Sequence, residues 1–149
     1  MAEKNIEMRK IVSLLVVSIF SLTLFAQTEE GIWETYDAKT GKAMSHVKVY
    51  KKDGKLYGEV VKNIAGVYTT CTKCSGADKN KPILGLMVIR GLEKKGNKWE
   101  KDDGILDPMT GYICDGELWL ESQNVMKVKG SVLFFSETQT WKRVPAVKK

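Results

Sequence analysis

The sequence predicts an all-β protein: a single antiparallel, up-and-down barrel of eight strands behind a cleaved signal peptide. Three observations predict it. Arg9 and Lys10 precede an apolar run, residues 11–25, that ends at Ala26. Beyond it, short segments rich in β-branched and aromatic residues alternate apolar and polar positions, with turn signals about every ten residues. Glycines inside those segments (Gly58, Gly85, Gly116, Gly130) supply the bends that a closing sheet needs. No stretch holds a helical period for long.

A positive start, an apolar stretch and a small residue at the cut describe a secretory signal. The run is short for a membrane-spanning helix, which needs roughly 20 residues. Residues 1–26 are therefore read as signal peptide, cleaved near Ala26, and residues 27–149 as one domain of the periplasm or the secreted fraction. Cleavage removes three basic and two acidic residues, so the net charge falls from +6 to +5. That excess favours contact with an anionic membrane surface. The basic residues are spread along the chain and export separates the protein from nucleic acid, so no nucleic-acid role is expected.

The first strand is Gly31–Tyr36, with a turn at 37–41. Segments 47–52 and 55–61 flank Asp53-Gly54, a favoured two-residue hairpin turn. That turn sets the register: Lys52 opposite Lys55, Tyr50 opposite Tyr57, Lys48 opposite Glu59, Val47 opposite Val60. Val47, Val49, Leu56, Gly58 and Val60 then face inward. Residues 64–82 read as a long loop holding Cys71 and Cys74. Residues 83–92 read as an apolar strand and 98–101 as a short one around Trp99, with Ile105-Leu106 leading to the Asp107-Pro108 turn. Residues 112–121 form a strand on which Tyr112, Cys114, Gly116, Leu118 and Leu120 share a face. Met126, Val128, Gly130 and Val132 alternate with polar residues in a half-buried strand. The last strand is 138–144.

Few residues carry chemistry. The single histidine, His46, falls on the outer face with no nucleophile or acid placed to make a triad. Cys71 and Cys74, in an oxidising compartment, are expected to form a disulfide and leave Cys114 as the more buried thiol, although either could instead pair with Cys114. No helix follows the pair, as a redox-active dithiol requires. A zinc site of Cys71, Cys74, Cys114 and His46 would need inward and outward side chains to converge. Asp102, Asp103 and Asp107 lack the spacing of a calcium loop. No metal or cofactor is expected. Trp33 on the first strand and Arg143 on the last become neighbours if the barrel closes, and a cation–π contact between them would seal one end.

The Gly31-x-Trp33 start and the late Arg143 resemble the pattern of lipocalins and other calycins. The mature chain more specifically resembles the bacterial exported family known as domain of unknown function 2147. The resemblance rests on Gly31-Ile32-Trp33, Asp53-Gly54-Lys55-Leu56-Tyr57-Gly58, Cys71-x-x-Cys74, Lys81-Pro82-Ile83-Leu84-Gly85-Leu86, Ile105-Leu106-Asp107-Pro108, Gly111-Tyr112 and Thr138-Gln139-Thr140-Trp141-Lys142-Arg143-Val144. These run in order across residues 31–144. Lys129 stands where the family tends to have arginine, and Ser136-Glu137 where it tends to have Gly-Arg, so an anion contact through that second arginine does not carry over. The resemblance implies a lipocalin-like barrel of the cell envelope and no established activity. The expected role is binding of a small apolar or amphipathic ligand in a pocket lined by Val47, Val49, Leu56, Val60, Val128 and Val132, with the cysteine loop as its lid. A filled barrel with a structural or partner-binding role is the alternative, and an enzyme, either a cavity enzyme or a thiol oxidoreductase, is the least favoured class.

Overall fold

The computed structural model describes residues 26–66 and 68–147; the apolar run read from the sequence as a signal peptide lies outside them. Eight strands follow one another: β1 (Gly31–Tyr36), β2 (Ala43–Lys52), β3 (Lys55–Asn63), β4 (Met87–Lys95), β5 (Lys98–Leu106), β6 (Ile113–Ser122), β7 (Val125–Val132) and β8 (Phe135–Arg143). Each pairs antiparallel with its neighbour in sequence, and β8 returns to β1, so the sheet is a closed up-and-down barrel. Within the β3–β4 connection, Gly76–Asp78 makes one short 3₁₀ turn.

The β2–β3 hairpin forms around Asp53 and Gly54, whose φ angles of 52° and 74° are those of a primed turn. Tyr50 pairs with Tyr57, Lys48 with Glu59 and Val47 with Val60. The two tyrosine rings stack on the outer face at 5.8 Å between centroids, which supports the same register.

Several boundaries differ from the sequence reading, including β2, which begins at Ala43 rather than 47, and β3, which runs to Asn63 rather than 61. The segment 83–86 is not strand: Pro82 lacks an N–H, and Gly85 turns the chain at φ 87°. Ile83 and Leu86 are nevertheless buried, covering the core from the loop. The short strand read at 98–101 instead runs on to Leu106, because a register shift between Lys101 and Ile105 absorbs the aspartates. Tyr112 lies before β6 and is exposed, so it does not share the inward face. The last strand starts at Phe135, three residues earlier than the alternation suggested.

Residues opposite one another in a ladder share a face. Arg143, Trp33, Val47 and Val60 are joined through successive ladders, as are Gly31, Val49, Gly58, Ile89, Ile105 and Cys114. Leu118, Val128 and Gln139, and Met126 with Trp141, continue that inner surface on β6–β8. Leu56, Ile89, Leu92 and Leu118 are fully buried within it, each contributing about 1.5–3 kcal/mol. The inward glycines leave no holes. A Cβ on Gly58 would lie 2.8 Å from Ile89, and one on Gly116 would lie 2.7 Å from Ile105.

Candidate functional site

Alternating strand direction gives the barrel two unlike ends. The start of β1, the end of β8 and the three tight turns after β2, β4 and β6 lie at one end. The β1–β2, β3–β4, β5–β6 and β7–β8 connections lie at the other, here called the mouth.

The first end is sealed. The Arg143 guanidinium sits 4.2 Å from the centroid of the Trp33 ring. It donates from Nε to Gln123 O at 2.7 Å, from Nη1 to Glu30 O at 2.7 Å and from Nη2 to Thr28 O at 2.6 Å. Trp33 Nε1 donates to Glu29 O at 2.8 Å. Gly31 is obligatory here: its φ is 139°, and a Cβ would stand 2.5 Å from Arg143 Nη1. The residues just before β1 are thus drawn across the barrel end as a strap.

Glu29 carries the only buried carboxyl group among the described residues. Its oxygens lie 3.5 Å from both Lys51 Nζ and Lys94 Nζ. Those two ammonium groups also sit over the Trp99 ring, at 5.4 and 5.1 Å from its centroid. Burial opposes ionisation of Glu29, but the Trp99 indole and the Lys94 and Lys51 charges outweigh it and hold the carboxyl below its ordinary value. The Trp99 N–H makes no hydrogen bond of ordinary geometry, so its influence on the carboxylate is that of a nearby dipole. Sequence reasoning missed this strap, because a short polar stretch ahead of the first strand carries no periodic signal.

The mouth is built differently. The loop 64–86 is held by the Cys71–Cys74 disulfide, with Cα atoms 5.3 Å apart, and by a bridge between Thr70 and Pro82. Arg90 Nη2 on β4 holds Asp78 at 2.9 Å. Both cysteines are buried, Cys71 at 0% and Cys74 at 2% exposure. The loop packs against the β5–β6 turn, where Cys71 Sγ faces Pro108 O at 3.7 Å. Gly111 makes that approach possible: a Cβ there would lie 2.0 Å from Lys73 O. The loop is thus stapled by its disulfide and docked against the β5–β6 turn on one side of the mouth.

Of the sequence-predicted lining, Val47, Val49, Leu56, Val60 and Val128 lie in the packed core, and Val132 is half-buried nearer the mouth. Around it the inward face becomes polar. Thr35 and Ser45 share a hydroxyl hydrogen bond of 2.8 Å, and the Gln139 side chain accepts from Trp141 Nε1 at 3.0 Å. Cys114, expected to be the more buried, is instead half-buried there and more exposed than Cys71 or Cys74, its thiol pushed up by burial and by the charges of Asp107, Asp115 and Glu137. His46 lies on the outer face, where Nε2 meets Glu34 Oε2 at 3.0 Å, away from every cysteine. The disulfide occupies Cys71 and Cys74, so the four residues weighed for zinc do not converge.

A model of the family described as "Uncharacterized protein conserved in bacteria (DUF2147)" matches residues 31–143. Among solved structures, the chain is similar to protein HP1028 from the human pathogen Helicobacter pylori, described as belonging to the lipocalin family. The two share 19% identity over 78% of this chain and 82% of that one, with a TM-score of 0.65. At that identity the likeness speaks for the fold alone. Among curated proteins none matches.

Proposed function

The chain belongs to the bacterial family DUF2147, and from that premise and its lipocalin-like barrel we propose that it is an exported carrier of a small apolar or amphipathic molecule. Residues 1–26 act as the signal peptide, and the mature domain, residues 27–149, works in the envelope in contact with anionic lipid. The observation that carries this reading is the gradient along the inward face. Trp33, Leu56, Leu92, Leu118 and Met126 are wholly buried, whereas Ser45, Cys114, Gly130, Val132 and Gln139 are only half-buried. An eight-stranded barrel has room for its side chains or for one small ligand. On this reading Val47, Val49, Leu56, Val60 and Val128 are the floor, and the half-buried residues above them form a cup with Val132 as wall. An apolar floor under a polar rim suits a molecule with an apolar tail and a hydrogen-bonding head.

Native mass spectrometry of protein purified from its own envelope tests the reading directly, by the mass of a retained ligand. Titration with a fluorescent fatty acid gives the second measurement. Val132→Trp narrows the cup without touching the floor, and should weaken uptake by at least about tenfold while the β spectrum is unchanged. Full affinity in that folded variant, with no retained ligand in the native spectrum, would leave a structural or partner-binding role ahead. That second reading draws its support from Ile89 and Ile105, which fill the space above Gly58 and Gly116. Thiol exchange is disfavoured, since both half-cystines are shielded from an attacking thiolate.

A further inference from the structure

Among the described residues, the exposed large hydrophobic side chains gather at the mouth, apart from Val147 in the tail after β8. Tyr68 and Leu84 belong to the long loop, Tyr112 to the β5–β6 turn, and Leu133, Phe134 and Phe135 to the β7–β8 hairpin. The hairpin tip is the extreme case: these three consecutive residues are 93%, 99% and 83% exposed. Single exposed apolar residues need no explanation, but three in succession at a projecting tip do.

The backbone adds a second, independent observation. Leu133 adopts φ 52°, a left-handed conformation that is strained for a bulky residue and ordinarily given to glycine, asparagine or aspartate. The β2–β3 hairpin meets the same demand with Asp53 and Gly54. At the β7–β8 tip Leu133 takes this conformation, against the preference of that position. An apolar tip is therefore favoured by something other than folding.

The charge around the mouth says what covers it. Lys39, Lys42, Lys62, Lys73, Lys79 and Lys81 are exposed on the mouth-side segments. Asp37, Asp107 and Asp115 accept hydrogen bonds there and keep their charges, Asp78 is paired with Arg90 and Lys81, and Glu137 is exposed, so the mouth is mixed in charge with a modest excess of lysine. Apolar points from three separate connections, at one end of a barrel and interspersed with lysines, match a planar interface of acyl chains beneath anionic headgroups.

We propose that the Leu133-Phe134-Phe135 tip, aided by the mouth lysines, seats the barrel mouth-down on an anionic lipid bilayer. This rests on the reading of the protein as an envelope barrel in contact with lipid, and assigns the surface that makes the contact. Docked this way, the cup faces the membrane.

Co-sedimentation of the exported, processed protein with vesicles tests it, using phosphatidylcholine alone and phosphatidylcholine with about 30% phosphatidylglycerol. Wild-type protein should partition onto the anionic vesicles and far less onto the neutral ones. Leu133→Asn combined with Phe134→Ser should lower that partition at least about tenfold, with no loss of melting temperature and with fatty-acid uptake in lipid-free buffer unchanged. No partition of the wild type, or equal partition of wild type and variant, overturns the assignment. So does a tip-dependent dimer in analytical ultracentrifugation without vesicle binding, which would make a second copy the occupant. Fatty-acid uptake is read on the same samples. Its absence alongside tip-dependent docking would refute the carrier reading and leave the docking surface standing.

Discussion

Arg143 and Glu29 do opposite jobs at the sealed end. Arg143 spends its donors on backbone carbonyls of residues 28, 30 and 123 and lays its plane on Trp33. Lysine cannot reproduce a planar fork. Arg143→Lys should therefore cost about 2 kcal/mol, read as a lower melting temperature. Glu29 contributes through charge. Its carboxyl is held below the ordinary value of 4.5, so its stabilising effect is complete above that pH and is lost as pH falls through the lowered value. Glu29→Gln should destabilise by about 1 kcal/mol near neutral pH. The gap to wild type should close in acid, which thermal melts across pH 2–7 would reveal. A gap that persists unchanged in acid would mean that packing, not charge, is what Glu29 supplies. Cys114 gives a third test at this scale. Its raised thiol pKa and half-buried position predict slow alkylation of the native protein at neutral pH, and one reactive thiol per chain once the unreduced protein is unfolded.

Among the elements, the long loop and the β5–β6 turn form the unit most sensitive to a single atom. Gly111 has φ 78° and faces the Lys73 carbonyl. Gly111→Ala should undock the loop at a cost of about 2 kcal/mol or more, and make the Cys71–Cys74 bond accessible to mild reductant. Retained resistance to reduction would show that the loop holds without this contact. The same elements show what was legible in the sequence. The β2–β3 register could be read because Asp53-Gly54 demands one turn geometry and the alternation leaves one choice of inner face. The start of β4 could not, because Ile83, Leu84 and Leu86 look like strand residues whether they extend a ladder or cap a core. The aspartates at 102–103 hid the continuity of β5, since a shift in register and a turn share the same residue types. The tip of the β7–β8 hairpin was missed because Leu133, Phe134 and Phe135 contain none of the residues by which a turn is recognised. At the site, the Trp33–Arg143 pairing was legible from the closure of the barrel, and the strap of Thr28, Glu29 and Glu30 was not.

At the scale of the whole molecule, the barrel is closed by unequal seams. β7 and β8 pair over eight residue pairs, from Val125 with Lys142 to Val132 with Phe135. β1 and β8 pair over two, Trp33 with Arg143 and Glu34 with Lys142. Residues 135–140 of β8 therefore have a strand neighbour on one side only. The short seam lies at the sealed end, and the unpaired stretch runs up to the mouth beside the apolar tip. A ladder this short resists opening less than its neighbours, because each missing pair removes both hydrogen bonds and side-chain contact across the strands. On the carrier reading proposed above, an amphipathic ligand enters between β8 and the β1–β2 turn, with its tail reaching the floor. Amide hydrogen exchange read by mass spectrometry checks this. Peptides covering 135–140 should exchange at least about tenfold faster than those of β2 and β3 in the free protein. Loading with the fluorescent fatty acid should slow exchange there and at Val132, and leave the sealed end as it was. Uniform protection around the free barrel would mean that contacts other than the ladder close the seam, and that a ligand passes only through the top of the mouth.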